Sequence, residues 1–254
     1  YDISCSLVGS EMCIRDRAFK EDKPKAIFFC NPHNPSGRIW QMSEMTQLAE
    51  LCQKYKVLLV SDEVHSEHII SGTFNSALAL DEKYLQNLIV LTSPNKAFNL
   101  GGLKLSYSII PNEKIRETLK DQYLKNSITS PNVPGQIAMI TAYESCLEWL
   151  IQCEDYIRIN LEITEEYINQ YFNGWELMAM DSSYLPWVDI SSSGKSMHEI
   201  ATRMADDAGV IVGVGDDYVA DAEGFLRLNL GTSHVIITEA MERMRKTWAT
   251  MEKE

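Results

Sequence analysis

The chain contains no C-x-x-C pair. Its six cysteines (Cys5, Cys13, Cys30, Cys52, Cys146 and Cys153) are spread irregularly over 254 residues. That spacing argues against a zinc ribbon, a redox motif or a disulfide framework, so reduced thiols in a cytoplasmic protein are expected. Basic charge is also scarce. Lys+Arg number 23 against 36 Asp+Glu, a formal net charge of −13, and no basic block is present. Neither a nucleic-acid surface nor an anionic-membrane surface fits that balance. Long apolar runs are missing too: AIFFC and VLLV are core-strand length, far below the roughly 18 residues of a membrane span. There is no internal repeat and no low-complexity segment. GVGDD (Gly213–Asp217) supplies only G-x-G, too little for a dinucleotide site, and reads as a loop.

With 45% hydrophobic and 23% charged residues, the chain suits one large domain or two modest ones. The first residues, YDISCSLVGSEMCIRDR, have neither the basic start nor the apolar centre of a signal peptide. SLVGSEMCIRDR resembles translated sequencing adapter, so residues 1–17 are expected to be a non-native leader. From Ala18 an alternating α/β pattern begins. KAIFF, VLLVSDEVH, NLIVLTS and LKLSYSII read as strands, and Ser43–Tyr55 and NEKIRETLKDQYLKN as helices, with Ser43 as N-cap. Near-continuous apolar strands separated by helices predict a mainly parallel sheet covered on both faces. SPNVPGQ reads as a loop and Ile137–Tyr171 as one long or broken helical region. WELMAM, YLPWVDI, VIVGV and FLRLNL then alternate with helices near Met197–Ala208 and Thr238–Met251. The expected division is a partial large domain over 18–142 and a smaller α/β domain over 143–254.

Polar residues gather just past the apolar strands, at Asn31–Gly37, Asp62–His65 and Ser93–Lys96. In open α/β sheets ligands bind outside the carboxyl ends of the strands, so these clusters mark a candidate site. Lys96, placed among Ser, Pro, Asn and Gly, must reach water, be paired, or be held neutral and used. His65 and His68 with Glu63 and Glu67 do not make H-E-x-x-H spacing and follow a strand, so no metal is expected.

The motifs NPHNPSG (Asn31–Gly37), SDEVH (Ser61–His65), SPNKAFNLGGLK (Ser93–Lys104) and FLRLNLG (Phe225–Gly231) occur in the order found in fold-type I pyridoxal-phosphate enzymes. Within that superfamily the chain most resembles the carbon–sulfur β-lyases of the cystathionine β-lyase/PatB–MalY type, from about Ala18 to its end. The resemblance implies the cofactor pyridoxal 5′-phosphate and a set of roles. Lys96 would bind the cofactor aldehyde and then move the substrate Cα proton. Asp62 would pair with the pyridine nitrogen, and Asn34 with the phenolic oxygen. His65 stands where many aminotransferases carry a tyrosine, a departure that fits the lyases; it also reads as a strand-end histidine. Ser93 matches a phosphate-binding hydroxyl. Lys104 stands where aminotransferases often have a phosphate-binding arginine, and reads equally as a solvent-facing lysine. Arg227 would grip the substrate α-carboxylate by a planar two-point pairing. Tyr184 and Trp187 are candidates for the substrate side, or plain core aromatics.

The resemblance further implies an α/β fold made of a partial three-layer large domain and a C-terminal small domain, from a homodimeric parent. Its reaction would be β-elimination from cystathionine or a cysteine conjugate, giving thiol, pyruvate and ammonia. The family's N-terminal half has no counterpart here, so the chain is expected to be a fragment, catalytically poor alone. An aminotransferase and an inactive binding remnant are the rival readings.

Overall fold

The computed structural model describes residues 17, 19–218 and 222–254; the expected leader, with Cys5 and Cys13, lies almost wholly outside them. Two compact units form. One takes the described residues up to His33 together with Ile39–Leu150, and the other takes Asn34–Arg38 with Ile151–Glu254.

The first unit is built on four strands, β1 (Ala26–Cys30), β2 (Leu58–Asp62), β3 (Leu88–Thr92) and β4 (Tyr107–Ile109), in that spatial order. β1, β2 and β3 run parallel, and β4 pairs antiparallel with β3. The helices are α1 (Met42–Tyr55), the short α2 (Glu82–Leu85) and α3 (Pro94–Ala97), then α4 (Glu113–Lys125) and α5 (Val133–Ser145). The long α6 (Leu147–Tyr171) runs from this unit into the chain of the second. Leu150 is buried with Ala97, Phe98 and Ala142, which keeps the first turn of α6 in the first unit, beyond the 142/143 boundary expected above.

Side chains alternate across the sheet as strand geometry demands. Ile27, Leu59 and Leu88 stand in register and are buried with Met45, Leu48 and Cys52 of α1. The opposite face is less covered than its apolar sequence predicts. Phe28 is 59% exposed, and a groove of about 320 Å³ runs between Ile89 and the α4 residues Ile115 and Leu119. No residue of α4 is buried.

Three local readings are corrected. Ser43 lies inside α1, whose N-cap is Gln41; the Gln41 backbone N–H donates to Glu44 at 3.0 Å, the backward half of a capping box. β2 ends at Asp62, and Glu63–His65 belong to the turn that follows. α5 starts at Val133 rather than near Ile137, because Asn132 caps Gly135 N–H at 2.7 Å and proline costs nothing in a first turn.

Cys52 has its thiol pushed up to about 12 by burial, from an ordinary 9.0. Its thiolate is then about a thousandfold scarcer than that of an ordinary cysteine. Iodoacetamide labelling of the native chain, read by peptide mass spectrometry, should leave Cys52 essentially unmodified while Cys146 reacts.

The second unit has the wholly antiparallel sheet order β5 (Glu176–Leu177), β6 (Trp187–Asp189), β8 (Phe225–Arg227), β7 (Gly213–Val214). Helices α7 (Met197–Asp206) and α8 (His234–Met251) accompany it, started by the hydroxyls of Ser196 and Ser233. Its core joins Val188, Ile190 and Leu226 to Ile200, Met204, Met241, Met244 and Trp248. Trp187 is buried and stacks on Phe225, which makes it a core aromatic.

Candidate active site

Parallel pairing of β1, β2 and β3 brings their carboxyl ends to one edge. Cys30 pairs with Asp62 and Asp62 with Leu91, and the ladder continues through Asn31 N–H to Asp62 O at 2.9 Å and Glu63 N–H to Leu91 O at 2.8 Å. Asp62 therefore stands at the edge from which the chain runs on to Ser93 and Lys96. One carboxylate oxygen of Asp62 accepts the Val64 N–H at 3.1 Å, which fixes the side chain over the turn.

Lys96 sits in a single helical turn that the local sequence starts and stops. Ser93 is the N-cap and Pro94 opens α3, a combination suited to a helix start. Asn99 adopts φ +53°, and Leu100 N–H closes back on Asn95 O at 3.0 Å, a left-handed stop in which asparagine is tolerated. On one side Ala97 and Phe98 are buried against Ala142 and Leu150, with Phe98 edge-on to Tyr143 at 5.5 Å. Lys96 itself is exposed. The lysine is thus held by its neighbours and left open at its amine.

Ser93 is 3% exposed. Its hydroxyl donates to Leu105 O at 2.6 Å and accepts from Asn95 N–H at 3.1 Å. Its one proton is committed to the chain, so a phosphate oxygen would have to draw it away from Leu105. Lys104 is exposed at φ +53°, after the turn Gly101–Leu103.

The turn after β2 is fastened on three sides by residues not assigned to the site from sequence. Glu63, 4% exposed, accepts from Ser61 Oγ at 3.0 Å, Ser76 Oγ at 2.7 Å and Ala77 N–H at 2.8 Å. Burial pushes its carboxyl upward and the three donors oppose that. Glu67 accepts from Ser66 Oγ at 3.0 Å and from Tyr143 Oη at 3.1 Å; burial again raises its carboxyl pKa. His68 bonds through Nε2 to the carbonyl of Lys96 at 2.9 Å. His65 is buried at 3% exposure within this turn, and its carbonyl accepts His68 N–H at 3.3 Å.

Asn34, Tyr184 and Arg227 belong to the second unit. Arg227 leaves β8 with its guanidinium over the Tyr218 ring at 3.8 Å and donates to Asn34 Oδ1 at 3.4 Å. Burial raises the Tyr184 phenol pKa, and the charge of Arg227 lowers it in part. Tyr218 went unremarked in the sequence, since a cation–π stack leaves no mark in local spacing. Gly37 anchors the NPHNPSG loop: its carbonyl accepts both Asp181 and Ser182 N–H at 2.9 Å. It adopts φ +68°, and a Cβ there would meet Met180 Cβ at 2.7 Å and Ser182 O at 2.8 Å. Gly37→Ala combines left-handed strain with that collision. A loss of about 2 kcal/mol or more in urea unfolding is expected, with the Asn34–Arg227 contact displaced. A parent-like midpoint would show that the loop yields.

Parallel strands with their polar turns at one edge and a lysine in a capped turn match the fold of pyridoxal-phosphate-dependent enzymes of known structure. The chain belongs to the family Aminotransferase class I and II, whose model matches residues 5–244. Among curated relatives, cystathionine beta-lyase PatB of Bacillus subtilis is 33% identical over 91% of this chain and 60% of its own length. Protein MalY of Escherichia coli is 28% identical over 82% of the chain and 53% of its own length. The crystal structure of cystalysin from Treponema denticola, which contains a pyridoxal 5′-phosphate cofactor, superposes with a TM-score of 0.90 at 27% identity. It covers 95% of this chain and 61% of that one. A PLP-bound putative aminotransferase from Clostridium difficile gives 0.89 at 28% identity, over 94% and 61%. The chain therefore spans about 60% of the length of PatB.

Proposed function

We propose that the protein is a pyridoxal-phosphate-dependent carbon–sulfur β-lyase, cleaving cystathionine or a cysteine conjugate to a thiol, pyruvate and ammonia. The observation that carries this reading is the pairing of an exposed lysine amine, held in a capped turn after β3, with a carboxylate at the end of β2 on the same sheet edge. The relatives named cystathionine beta-lyase support the substrate class.

The residues present suit the cofactor by their chemistry. Lys96 offers an accessible primary amine for an aldehyde. Asp62 offers a carboxylate for a protonated ring nitrogen. Asn95 Oδ1, beside Lys96, is buried with no hydrogen-bond partner among the described residues, an unsatisfied acceptor of the kind functional sites retain. When bound, the cofactor supplies an electron sink for the electrons of the substrate Cα–H bond.

The chain's own residues then do the following. Lys96 would hold the aldehyde of the cofactor through Nζ and would serve as the base for the substrate Cα proton. Asp62 would pair with the protonated ring nitrogen. Arg227 binds the α-carboxylate and so orients Cα–H toward the base. Ser93 and Lys104 are assigned to the phosphate, His65 and Asn34 to the phenolic oxygen, and Tyr184 to the substrate side. The parent is further proposed to be a homodimer.

Product analysis tests this. Incubation of the full-length parent with cystathionine should release pyruvate, ammonia and free thiol in equal amounts. A keto acid that retains the sulfur, with the amino group transferred to an acceptor, would instead establish an aminotransferase. Absence of both, together with absence of pyridoxal-phosphate absorbance, would leave only the binding-remnant reading.

A further inference from the structure

We infer that His68 is a positioning residue for Lys96, its Nε2–H fixing the carbonyl of the lysine and so locking the lysine turn to the turn that follows Asp62. The inference rests on the reading of Lys96 given above, and its tests are chosen to separate the two.

His68 is 2% exposed, lies 28 residues from Lys96 in sequence, and contacts its carbonyl at 2.9 Å. A carbonyl oxygen only accepts, so the ring nitrogen facing it must carry the hydrogen. Burial, foremost, and the charge of Lys96 hold the imidazole below its ordinary pKa, against the opposing pull of the carbonyl bond. The ring is therefore neutral near pH 7, with its single proton on Nε2.

The carbonyl in question has a special need of a donor. α3 is one turn long, so its carbonyls lack the partners that a continuing helix would bring. In a full left-handed helix stop two bonds return to the last turn. One is present, Leu100 N–H to Asn95 O, and the position of the second is the Lys96 carbonyl, which takes His68 instead. Aiming the lysine thus depends on a residue from the other turn. That turn is itself immobilised by Glu63 on Ser76 and Ala77 and by Glu67 on Tyr143. Beyond the β2–β3 ladder, one hydrogen bond thereby ties the turn that follows Asp62 to the turn of Lys96.

The test compares the parent with His68→Phe, which fills similar space without a donor, and His68→Gln, which keeps a side-chain N–H. Pyridoxal phosphate is added, reduced onto lysine with borohydride, and the label on each lysine is quantified by peptide mass spectrometry. Hydrogen exchange at Phe98 and Leu100 N–H is followed without cofactor. His68→Phe should lower the Lys96 label at least tenfold with other lysines unchanged, and speed the two amides at least tenfold while those of β2 and β3 hold. His68→Gln should recover both to within about threefold. Parent-like exchange in His68→Phe overturns the proposal, as does a His68→Gln that behaves like His68→Phe. A parent that does not label Lys96 preferentially sinks the role of the lysine and leaves His68 to be judged by exchange alone. Should both variants fail to fold, the parent's long-range 1H–15N spectrum decides: the Nε2–H tautomer upholds the inference and the Nδ1–H tautomer ends it.

Discussion

In the full-length parent, Lys96→Ala is expected to eliminate the borohydride-fixed pyridoxal-phosphate label from the peptide spanning α3 and to lower β-elimination at least about 10⁴-fold. One side chain is assigned two tasks, holding the aldehyde and accepting the Cα proton. Removing a group that acts in both binding and proton transfer takes the whole of its contribution at once. The stability cost should be small, because Lys96 is exposed while the packing of α3 rests on Ala97 and Phe98. A parent-like unfolding midpoint beside lost labelling therefore marks the effect as chemical. Turnover within tenfold of the parent would show that a different amine carries the reaction. Added methylamine, which replaces the lost base but not the tether, should restore part of the proton-transfer rate and none of the label.

The sequence marked Lys96 only as a lysine among turn formers past a strand, although Ser-Pro can start a helix and Asn-Leu-Gly-Gly stop it by local preference. The parallel strands were legible: AIFF, LLV and LIVL are apolar on both faces. Their ends were not. The reading of VLLVSDEVH as strand to His65 ran past Asp62 because Glu63 is claimed by Ser76 and Ala77, partners that no local pattern announces. His68 and Gly37 were missed on the same physical ground. Their importance lies in a bond to Lys96 and a close approach to Ser182, which only the folded chain brings about. The expectation of a sheet covered on both faces followed from near-continuous apolar strands alternating with helices. Phe28 at 59% exposure and the absence of buried residues in α4 show that an apolar strand does not itself say what covers it.

Arg227→Ala is expected to lower kcat/KM for an α-carboxylate substrate by about 10²- to 10³-fold, the scale of about 3–4 kcal/mol for a charge-assisted pair lost from a partly buried site. The guanidinium is held by contacts that leave its charge in place. It lies on the Tyr218 ring at 3.8 Å and meets Asn34 Oδ1 at 3.4 Å, a neutral face and a neutral acceptor. Arg227→Lys should recover only part of the loss, because an ammonium neither stacks nor offers a planar fork. Some stability should go as well, about 1 kcal/mol for the lost stack, so urea unfolding is measured beside the kinetics. The decisive comparison uses the substrate and its α-carboxamide. The parent should prefer the carboxylate by about the same 10²- to 10³-fold, and Arg227→Ala should treat the two nearly alike, because the amide never drew on the charge. Label on Lys96 should be unchanged, since capture of the aldehyde does not involve the carboxylate clamp. A variant that keeps the parent's preference for the carboxylate would assign the clamp to another cation, whatever the loss in overall rate.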